Sequence, residues 1–392
     1  MAATMVQRSA NLCSLARPLR VGSFSSKIGA YSSYISPAAS SLQQESDSTT
    51  YSDVDERVDV DWDNLGFGLM PTDYMYTMKC AKEGNFEHGL LTRYQNIELS
   101  PFAGVINYGQ GLLEGTKAYR KENGNLLLFR PDQNAIRMKI GAERLCMPCP
   151  SVDQFVDALK QTVIANERWV PPPGKGSLYI RPLLMGSGPV LGLAPAPEYT
   201  FLVYAAPVGN YFKSGIAPLD LYVEEEYHRA TSGGTGFVKA ISNYAQGLKA
   251  SGRAKSRGFS DVLYLDSVEK KYLEEVTCSN IFIVKGDVIS TPATNGTILP
   301  GITRKSIIDI ARHNGYKVEE RVISIDELMN ADEVFCTGTA VVVAPVGSVT
   351  YQTNRIEFRT GLQALSHQMY STLLGIQTGV IEDVKGWTVE IQ

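Results

Sequence analysis

The sequence predicts a fold of the α+β or mixed α/β class, with two domains that each contain mixed β-strands and flanking helices. Strand-like and helix-like segments alternate from about residue 61 to the end of the chain, a pattern typical of this class. The length of 392 residues allows two domains after an N-terminal leader is removed. A stretch at Lys213–Gly215 interrupts the pattern. We therefore predict a smaller domain at residues 61–212 and a larger one at residues 213–392.

Residues 1–44 differ in composition from the rest of the chain. They contain no Asp or Glu, many serines, and the basic residues Arg8, Arg17, Arg20 and Lys27. A start that is free of acids, rich in serine and without a long apolar segment is typical of an organelle transit peptide. A disordered tail is the alternative. Acidic residues begin at Glu45, so residues 1–60 are predicted to be a transit peptide and an acidic linker. The excess of serine over arginine favours the chloroplast, with the mitochondrion as the alternative.

The overall composition excludes several classes of protein. A net charge of -4 provides no basic excess for a nucleic acid partner. No apolar run reaches the length that a membrane span requires. Six cysteines are too few for a disulfide framework in a chain of this length. We therefore expect neither nucleic acid nor a membrane as a partner.

The first half of the body predicts both helices and strands. Strands are predicted at Asn125–Phe129, Ser177–Met185 and Glu198–Pro207, and helices at Asp132–Leu145 and after Ser151. Ile136 and Ile140 are four residues apart and share one helix face. Ser151 and Gln154 form a capping box, in which each side chain satisfies a free backbone N–H group at a helix start.

The second half continues the alternation. Strands are predicted at Leu219–Glu226, Asp261–Asp266, Asn280–Val284 and Glu333–Thr337. A helix is predicted at Ile241–Ala250, and a hairpin turn at Lys285–Asp287. A second helix begins near Thr303, with a single face formed by Thr303, Ile307, Ile310 and Ala311.

A glycine-rich segment, Gly233–Tyr244, contains Lys239. An apolar setting disfavours the ammonium form of a lysine, and a neutral amine can attack an aldehyde to form a Schiff base. A surface lysine at a helix start has the same local pattern. Lys239 therefore becomes a candidate catalytic residue only in combination with other motifs.

Two later segments are suited to binding an anion. Leu299–Arg304 opens a helix whose first N–H groups, at Ile302 and Thr303, have no partner within the helix. Gly338–Ala340 follows a strand and adds backbone N–H groups together with the Thr339 hydroxyl. Each segment alone is more often an ordinary cap or turn.

Glu274 and Glu275 precede the segment Val276–Asn280. A carboxylate beside a pyridine nitrogen keeps that nitrogen protonated and makes the ring an electron sink. The alternative interpretation is a solvated acidic pair.

Three further patterns are rejected as functional sites. Gly186–Gly192 follows a strand, but its spacing is not that of a dinucleotide-binding turn, and Pro189 interrupts it. Cys146 and Cys149 have redox-pair spacing but lie at the end of a helix, where nothing lowers the pKa of a thiol, so we interpret them as structural. No metal site is expected, because no ligand spacing relates the histidines His88, His228, His313 and His367.

Seven segments, taken in chain order, resemble those of class IV aminotransferases, with the closest likeness to plant branched-chain amino acid aminotransferases. They are Asn107–Tyr119, Leu128–Pro131, Tyr179–Pro182, Val238–Tyr244, Glu275–Asn280, Leu299–Arg304 and Gly338–Ala340. The likeness covers nearly all of residues 60–392. Ser256–Asp266 also resembles the plant enzymes, the plastid forms especially.

The resemblance implies a fold type IV enzyme that binds pyridoxal 5'-phosphate (PLP) at the domain interface. Lys239 is expected to form the Schiff base and to move a proton between the substrate and the cofactor. Glu275 is expected to pair with the pyridine nitrogen, and Tyr244 to hydrogen-bond to the phenolate oxygen. The phosphate is expected to be held by Arg137, Ile302, Thr303 and Thr339.

The resemblance also implies reversible amino transfer between leucine, isoleucine or valine and 2-oxoglutarate, by a ping-pong scheme. Backbone groups of Thr339 and Ala340 are expected to receive the substrate carboxylate, and Arg181 to help accept the distal carboxylate of glutamate. The remaining substrate-side residues are expected to be Tyr108, Leu113, Tyr179 and Tyr211. Family members are homodimers, so Tyr108 is a candidate for the partner's site.

The sequence departs from the family pattern in three places. Leu113 stands where many relatives have Phe, and Cys278 and Ser279 stand where relatives often have other small residues. No cysteine pair follows Ala340, so no thiol switch is expected there. The rival functions are a D-amino acid aminotransferase, a class IV lyase and a catalytically silent PLP-binding protein. Tyr179 with Arg181 favours an L-branched-chain substrate.

Overall fold

The computed structural model describes residues 58–209 and 217–391. The predicted transit peptide, the predicted boundary at Lys213–Gly215 and Tyr211 lie outside these residues. Within them, no helix is long and apolar enough to cross a membrane. No group of His, Cys, Asp and Glu side chains in the same residues could hold a metal ion.

The strands of the described chain form two sheets. In chain order they are β1 (Tyr74–Ala81), β2 (Leu90–Arg93), β3 (Gly111–Leu113), β4 (Thr116–Arg120), β5 (Leu126–Phe129), β6 (Ser177–Gly186), β7 (Glu198–Val208), β8 (Leu219–Glu224), β9 (Asp261–Leu265), β10 (Leu273–Val276), β11 (Asn280–Lys285), β12 (Val288–Pro292), β13 (Lys317–Arg321), β14 (Glu333–Gly338), β15 (Val342–Tyr351), β16 (Asn354–Glu357) and β17 (Thr388–Ile391).

The first sheet has eight strands in the order β17-β5-β4-β6-β7-β1-β2, with β3 paired to β6. All its pairings are antiparallel. The second sheet has nine strands in the order β10-β9-β8-β15-β14-β11-β12-β13, with β16 paired to β15. It is mixed, because β8 runs parallel to β9 and β15, and β12 runs parallel to β13. The last strand, β17, belongs to the first sheet, although it lies within the predicted domain at residues 213–392. The division into two domains stays a prediction.

Helices cover both sheets. They are α1 (Gly104–Tyr108), α2 (Pro131–Arg144), α3 (Val152–Ala165), α4 (Ser242–Ala245), α5 (Leu248–Ser256), α6 (Ile302–His313), α7 (Ile325–Met329) and α8 (Leu365–Thr378). Helix α3 packs on β1 and β7 through Phe155, Leu159 and Val163, which are fully buried. Helix α8 packs against α6, against β14 and β15 of the second sheet, and against β4 and β5 of the first. It therefore links the two sheets.

Several local predictions are confirmed. The capping box closes with Gln154 N–H donating to Ser151 Oγ at 3.1 Å and Ser151 N–H donating to Gln154 Oε1 at 3.0 Å. Strands β11 and β12 form the predicted hairpin. The predicted inner face of α6 is buried throughout.

The predicted helix at Asp132–Leu145 is confirmed as α2, and one other local prediction is wrong. Ile136 and Ile140 share a face of α2, but each is 43% exposed. The buried face instead carries Asn134 and Arg137, which are satisfied by hydrogen bonds to Glu114. The face that Ile136 and Ile140 share is therefore not the buried face of α2. The predicted helix at Ile241–Ala250 is divided into α4 and α5.

Candidate active site

A single pocket contains most of the residues predicted to bind a cofactor. Its lining includes Arg137, Lys239, Tyr244, Glu275, Ile302, Thr303 and Thr339. These residues come from α2, from the segment around α4, from β10, from the start of α6 and from the turn after β14. Cys278 and Ser279 line the same pocket. Packing of the two sheets therefore brings together motifs that are far apart in the chain.

Lys239 is held in this pocket by backbone pairing with β3. The N–H of Leu113 donates to the Lys239 carbonyl at 3.1 Å, and the N–H of Ile241 donates to the Gly111 carbonyl at 3.1 Å. The Lys239 side chain is half-buried. Its amine donates to the hydroxyl oxygen of Tyr244 at 2.8 Å. The lysine and the phenol predicted to act together are therefore in direct contact.

Glu275 is a buried carboxylate with several partners. Arg229 lies 2.6 Å from its Oε2 atom, and the N–H of Leu299 donates to the same oxygen at 3.0 Å. Asn280 Nδ2 donates to Oε1 at 2.5 Å. Burial raises the pKa of Glu275, and Arg229 opposes that shift. Because Glu274 and Glu275 are 7% and 2% exposed, the alternative of a solvated acidic pair is excluded.

Arg229 is a pocket residue that the sequence analysis missed. It lines the pocket and also donates to the Thr297 carbonyl at 3.0 Å. It follows the acidic run Glu224–Glu226, where a basic residue has the pattern of a solvated surface. No local signal identified Glu275 as its partner.

The segment Leu299–Thr303, here called the Pro300 turn, leads into α6. Gly301 is the N-cap residue and provides no side-chain cap, so the first N–H groups of the helix are available to an anion. A Cβ atom at Gly301 would lie 2.1 Å from Asn280 Oδ1, so only glycine allows this approach. The hydroxyl of Thr337, in the same pocket, is buried without a partner among the described residues. These donors fit a phosphate group.

Arg137 is engaged differently from the prediction. Its Nε donates to Glu114 Oε1 at 2.8 Å and its NH2 to Glu114 Oε2 at 2.6 Å, so Glu114 accepts a bidentate pair of hydrogen bonds from the residue predicted to hold a phosphate. NH1 donates to the Pro300 carbonyl at 3.2 Å. The other N–H groups of the Arg137 terminal nitrogens remain able to donate to an anion in the pocket. Glu114 is completely buried, and the sequence analysis did not single it out.

The segment Gly338–Ala340, here called the Thr339 turn, is anchored to the first sheet. Thr339 Oγ1 donates to the Gly115 carbonyl at 3.1 Å. Lys117 Nζ donates to the Ala340 carbonyl at 2.9 Å. The Thr339 hydroxyl is therefore engaged by protein, and backbone N–H groups are the main donors left in this turn.

Tyr179 and Arg181 lie together outside the lining of the Lys239 pocket. Arg181 NH2 donates to the Tyr179 hydroxyl at 3.2 Å, and its Nε is buried without a partner among the described residues. Phe67, which the sequence analysis also missed, packs edge-on against the Tyr179 ring with centroids 5.4 Å apart. The Tyr179 hydroxyl approaches Gly115 so closely that a Cβ atom there would lie 2.2 Å away.

Leu113 and Tyr108 occupy other positions. Leu113 lies on β3 and supports Lys239 through its backbone. Tyr108 is 41% exposed and does not line the Lys239 pocket. Its hydroxyl donates to the Leu191 carbonyl.

The rejected motifs stay without a site in the structure. No helix follows Gly186–Gly192 directly. Cys146 and Cys149 are free cysteines, so they form no structural disulfide. Burial raises the pKa of the Cys149 thiol to about 12, which makes a reactive thiolate unfavourable there.

Two packed sheets and a lysine-centred pocket with buried donors define a class IV aminotransferase. The family model for class IV amino-transferases matches residues 111–349, which is more than half of the chain. The chain is 66% identical to a mitochondrial branched-chain amino acid aminotransferase of Humulus lupulus, over 99% of this chain and 100% of that protein. It is 67% identical to a chloroplastic branched-chain amino acid aminotransferase of Arabidopsis thaliana, over 92% of this chain and 93% of that protein.

Solved structures agree with these relatives. The branched-chain amino acid aminotransferase of Escherichia coli superposes with a TM-score of 0.71 and 27% identity, covering 82% of this chain and 100% of that one. That of Thermoproteus uzoniensis, solved with norvaline, gives a TM-score of 0.69 and 26% identity, with 81% and 100% covered. A third such enzyme, complexed with N-(5'-phosphopyridoxyl)-L-glutamate, gives a TM-score of 0.69 and 26% identity, with 83% and 100% covered.

The chain therefore belongs to the branched-chain amino acid aminotransferases of class IV. The predicted fold and enzyme class are confirmed. The predicted organelle location, chloroplast or mitochondrion, agrees with the relatives' names.

Proposed function

We propose that the protein binds PLP and transfers an amino group reversibly between leucine, isoleucine or valine and 2-oxoglutarate. The observation that carries the proposal is the contact between Lys239 and Tyr244 in one pocket with buried Glu275. The names of the relatives and the phosphopyridoxyl-glutamate adduct of the third solved structure support the substrates and the cofactor.

The residues of the pocket fit the parts of PLP. Lys239 would hold its aldehyde carbon, and Glu275 would face the ring nitrogen. Tyr244 would donate to the phenolate oxygen. The phosphate would contact Ile302 and Thr303, with further donors from Arg137 and Thr339. Bound PLP supplies an aldehyde and an electron-withdrawing ring.

The side chains of this protein perform the proton transfers and the binding. Lys239 is placed to take a proton from the alpha carbon of the substrate and to deliver it to the cofactor. The Tyr244 hydroxyl accepts a hydrogen bond from the Lys239 amine and so orients it. Arg229 stabilises the ionised form of Glu275, and a carboxylate in this position keeps a ring nitrogen protonated.

Arg181 suits the dual specificity that the reaction requires. Its stacking on the Tyr179 ring, 5.2 Å from the centroid, leaves a buried Nε atom without a partner among the described residues. The guanidinium can therefore bind the distal carboxylate of glutamate or 2-oxoglutarate. The rings of Tyr179 and Phe67 provide the apolar surface for a branched side chain.

We also propose a homodimer. Phe102 and Ile106 near α1, together with Leu191 and Leu193 of the loop that Tyr108 contacts, are between 53% and 86% exposed. An exposed apolar patch of this kind is typical of a protein interface, and it would carry Tyr108 toward the site of a second copy. Light scattering tests this proposal. We expect the mass of a dimer for the wild-type protein and the mass of a monomer for Leu193→Asp.

The test of the function is spectroscopic. Protein without the leader, loaded with PLP, is expected to change its absorbance when L-leucine is added and to recover when 2-oxoglutarate follows. D-alanine is expected to give no change. Lys239→Ala should abolish turnover, while Lys139→Ala, an exposed lysine on α2, should not affect it. No spectral response of the wild-type protein to L-leucine would contradict the proposal.

A further inference from the structure

Lys117 lies on β4 with its side chain buried, only 7% exposed. Burial lowers the pKa of its ammonium to about 8. Among the described residues, no carboxylate forms an ion pair with it, and its hydrogen bond goes to the Ala340 carbonyl. A buried cation without a counter-ion is unfavourable. Its presence beside the pocket therefore indicates an anionic ligand.

The position of Lys117 connects it to that ligand through the Thr339 turn. Lys117 lines a small cavity that shares Ile302, Thr303 and Thr339 with the Lys239 pocket. Its ammonium holds the Ala340 carbonyl, while the Gly115 carbonyl accepts from Thr339 Oγ1. Gly115, which precedes β4, and Lys117 of β4 thus hold two consecutive residues of a turn that follows β14 of the second sheet.

We propose that Lys117 is a positioning residue for substrate binding. By holding the Ala340 carbonyl, it keeps the backbone N–H groups of the Thr339 turn directed at the substrate carboxylate, and its charge attracts that carboxylate from behind the turn. This inference rests on the proposed function, in which the same turn receives the carboxylate. The effect is specific for ligands that carry a carboxylate.

Two non-reactive probes separate this role from a general structural one. 4-Methylpentanoate has the carbon skeleton and the carboxylate of leucine, and 4-methylpentanamide replaces the carboxylate with a neutral amide. The dissociation constant of each is measured by calorimetry with the PLP-loaded enzyme. Lys117→Met is expected to weaken binding of the carboxylate about tenfold, with less than about a twofold change for the amide. Lys117→Arg should restore most of the affinity.

Further variants keep the test decisive. Lys139→Met is the control, because Lys139 is an exposed lysine, and no change is expected. Lys117→Gln retains a donor for the Ala340 carbonyl but loses the charge, so we expect a loss of about threefold for the carboxylate alone. If Lys117→Met does not fold in a thermal melt, Lys117→Gln and Lys117→Arg decide the result.

An equal loss for both probes, or no loss for either, overturns the inference. Leucine turnover by the wild-type protein distinguishes the two levels of failure. If the wild type turns over leucine and the Lys117 variants show no carboxylate-selective loss, only the role of Lys117 is wrong. If the wild type does not turn over leucine, the proposed function fails and this inference fails with it.

Discussion

The Pro300 turn and the Thr339 turn both present backbone N–H groups to the Lys239 pocket, but they are supported differently. The Pro300 turn is held mainly by the second half of the chain, since Glu275 accepts from Leu299 and is paired with Arg229. Its Pro300 carbonyl also accepts from Arg137 of α2. The Thr339 turn is held across the sheets by Gly115 and Lys117. The Pro300 turn therefore depends on the buried ion pair between Glu275 and Arg229. The Thr339 turn depends instead on hydrogen bonds with Gly115 and Lys117, which form when the two sheets pack together.

This difference predicts which of the two turns loses more stability on a single substitution. Removing one member of a buried ion pair leaves an uncompensated charge. Removing the hydrogen bond from the Thr339 hydroxyl leaves only an unsatisfied carbonyl at Gly115. Loss of the Glu275 ion pair should therefore have a larger effect than loss of the Thr339 hydrogen bond. Glu274, which accepts from Thr297 beside the Pro300 turn, should give an effect between them.

Glu275→Gln should have the largest effect. It leaves the Arg229 guanidinium buried without its carboxylate, which costs about 3–5 kcal/mol. We expect the free energy of unfolding of the cofactor-free protein, measured in urea, to fall by that amount. Glu357→Gln is the control, because the side chain of Glu357 is 80% exposed. A loss below about 1 kcal/mol would show that the ion pair does not support the Pro300 turn.

Glu274→Gln should have an intermediate effect that depends on pH. Burial raises the pKa of Glu274 to about 7 from 4.5. A raised carboxyl pKa contributes stability that is present below its unfolded value and is lost as pH rises through the folded value.

The Gln variant cannot ionise, so its stability relative to wild type should increase by about 2 kcal/mol between about pH 5 and about pH 8. Urea unfolding across this pH range measures the difference. A constant difference would contradict the raised pKa.

Thr339→Val should have the smallest effect. It removes the hydrogen bond to the Gly115 carbonyl, which costs about 1 kcal/mol, and we expect the KM for leucine to rise several-fold. Thr337→Val is the matched control for stability, because the Thr337 hydroxyl is buried without a partner among the described residues. Equal losses of stability in the two variants would show that the hydrogen bond between Thr339 and Gly115 does not stabilise the contact between the two sheets.

Local features of the fold could be predicted because their causes lie within a few residues. The capping box at Ser151 and the buried face of α6 follow from nearest-neighbour geometry. The roles of Lys239 and Tyr244 were inferred only from resemblance to a family, and the contact between their side chains is a finding of the structure. Ordered motifs also identified the remaining pocket residues, although only through resemblance to a family.

Residue patterns and motifs were enough to predict many of the elements, the Lys239 motif and the family. The packing of distant segments set the partners of the buried charges: Glu114 for Arg137, Arg229 for Glu275 and the Ala340 carbonyl for Lys117. It also decided that Ile136 and Ile140 face outward. The physical reason is that a hydrogen bond or ion pair between distant residues depends on how sheets and helices pack against each other. Residue type and spacing along the chain carry no direct record of that packing.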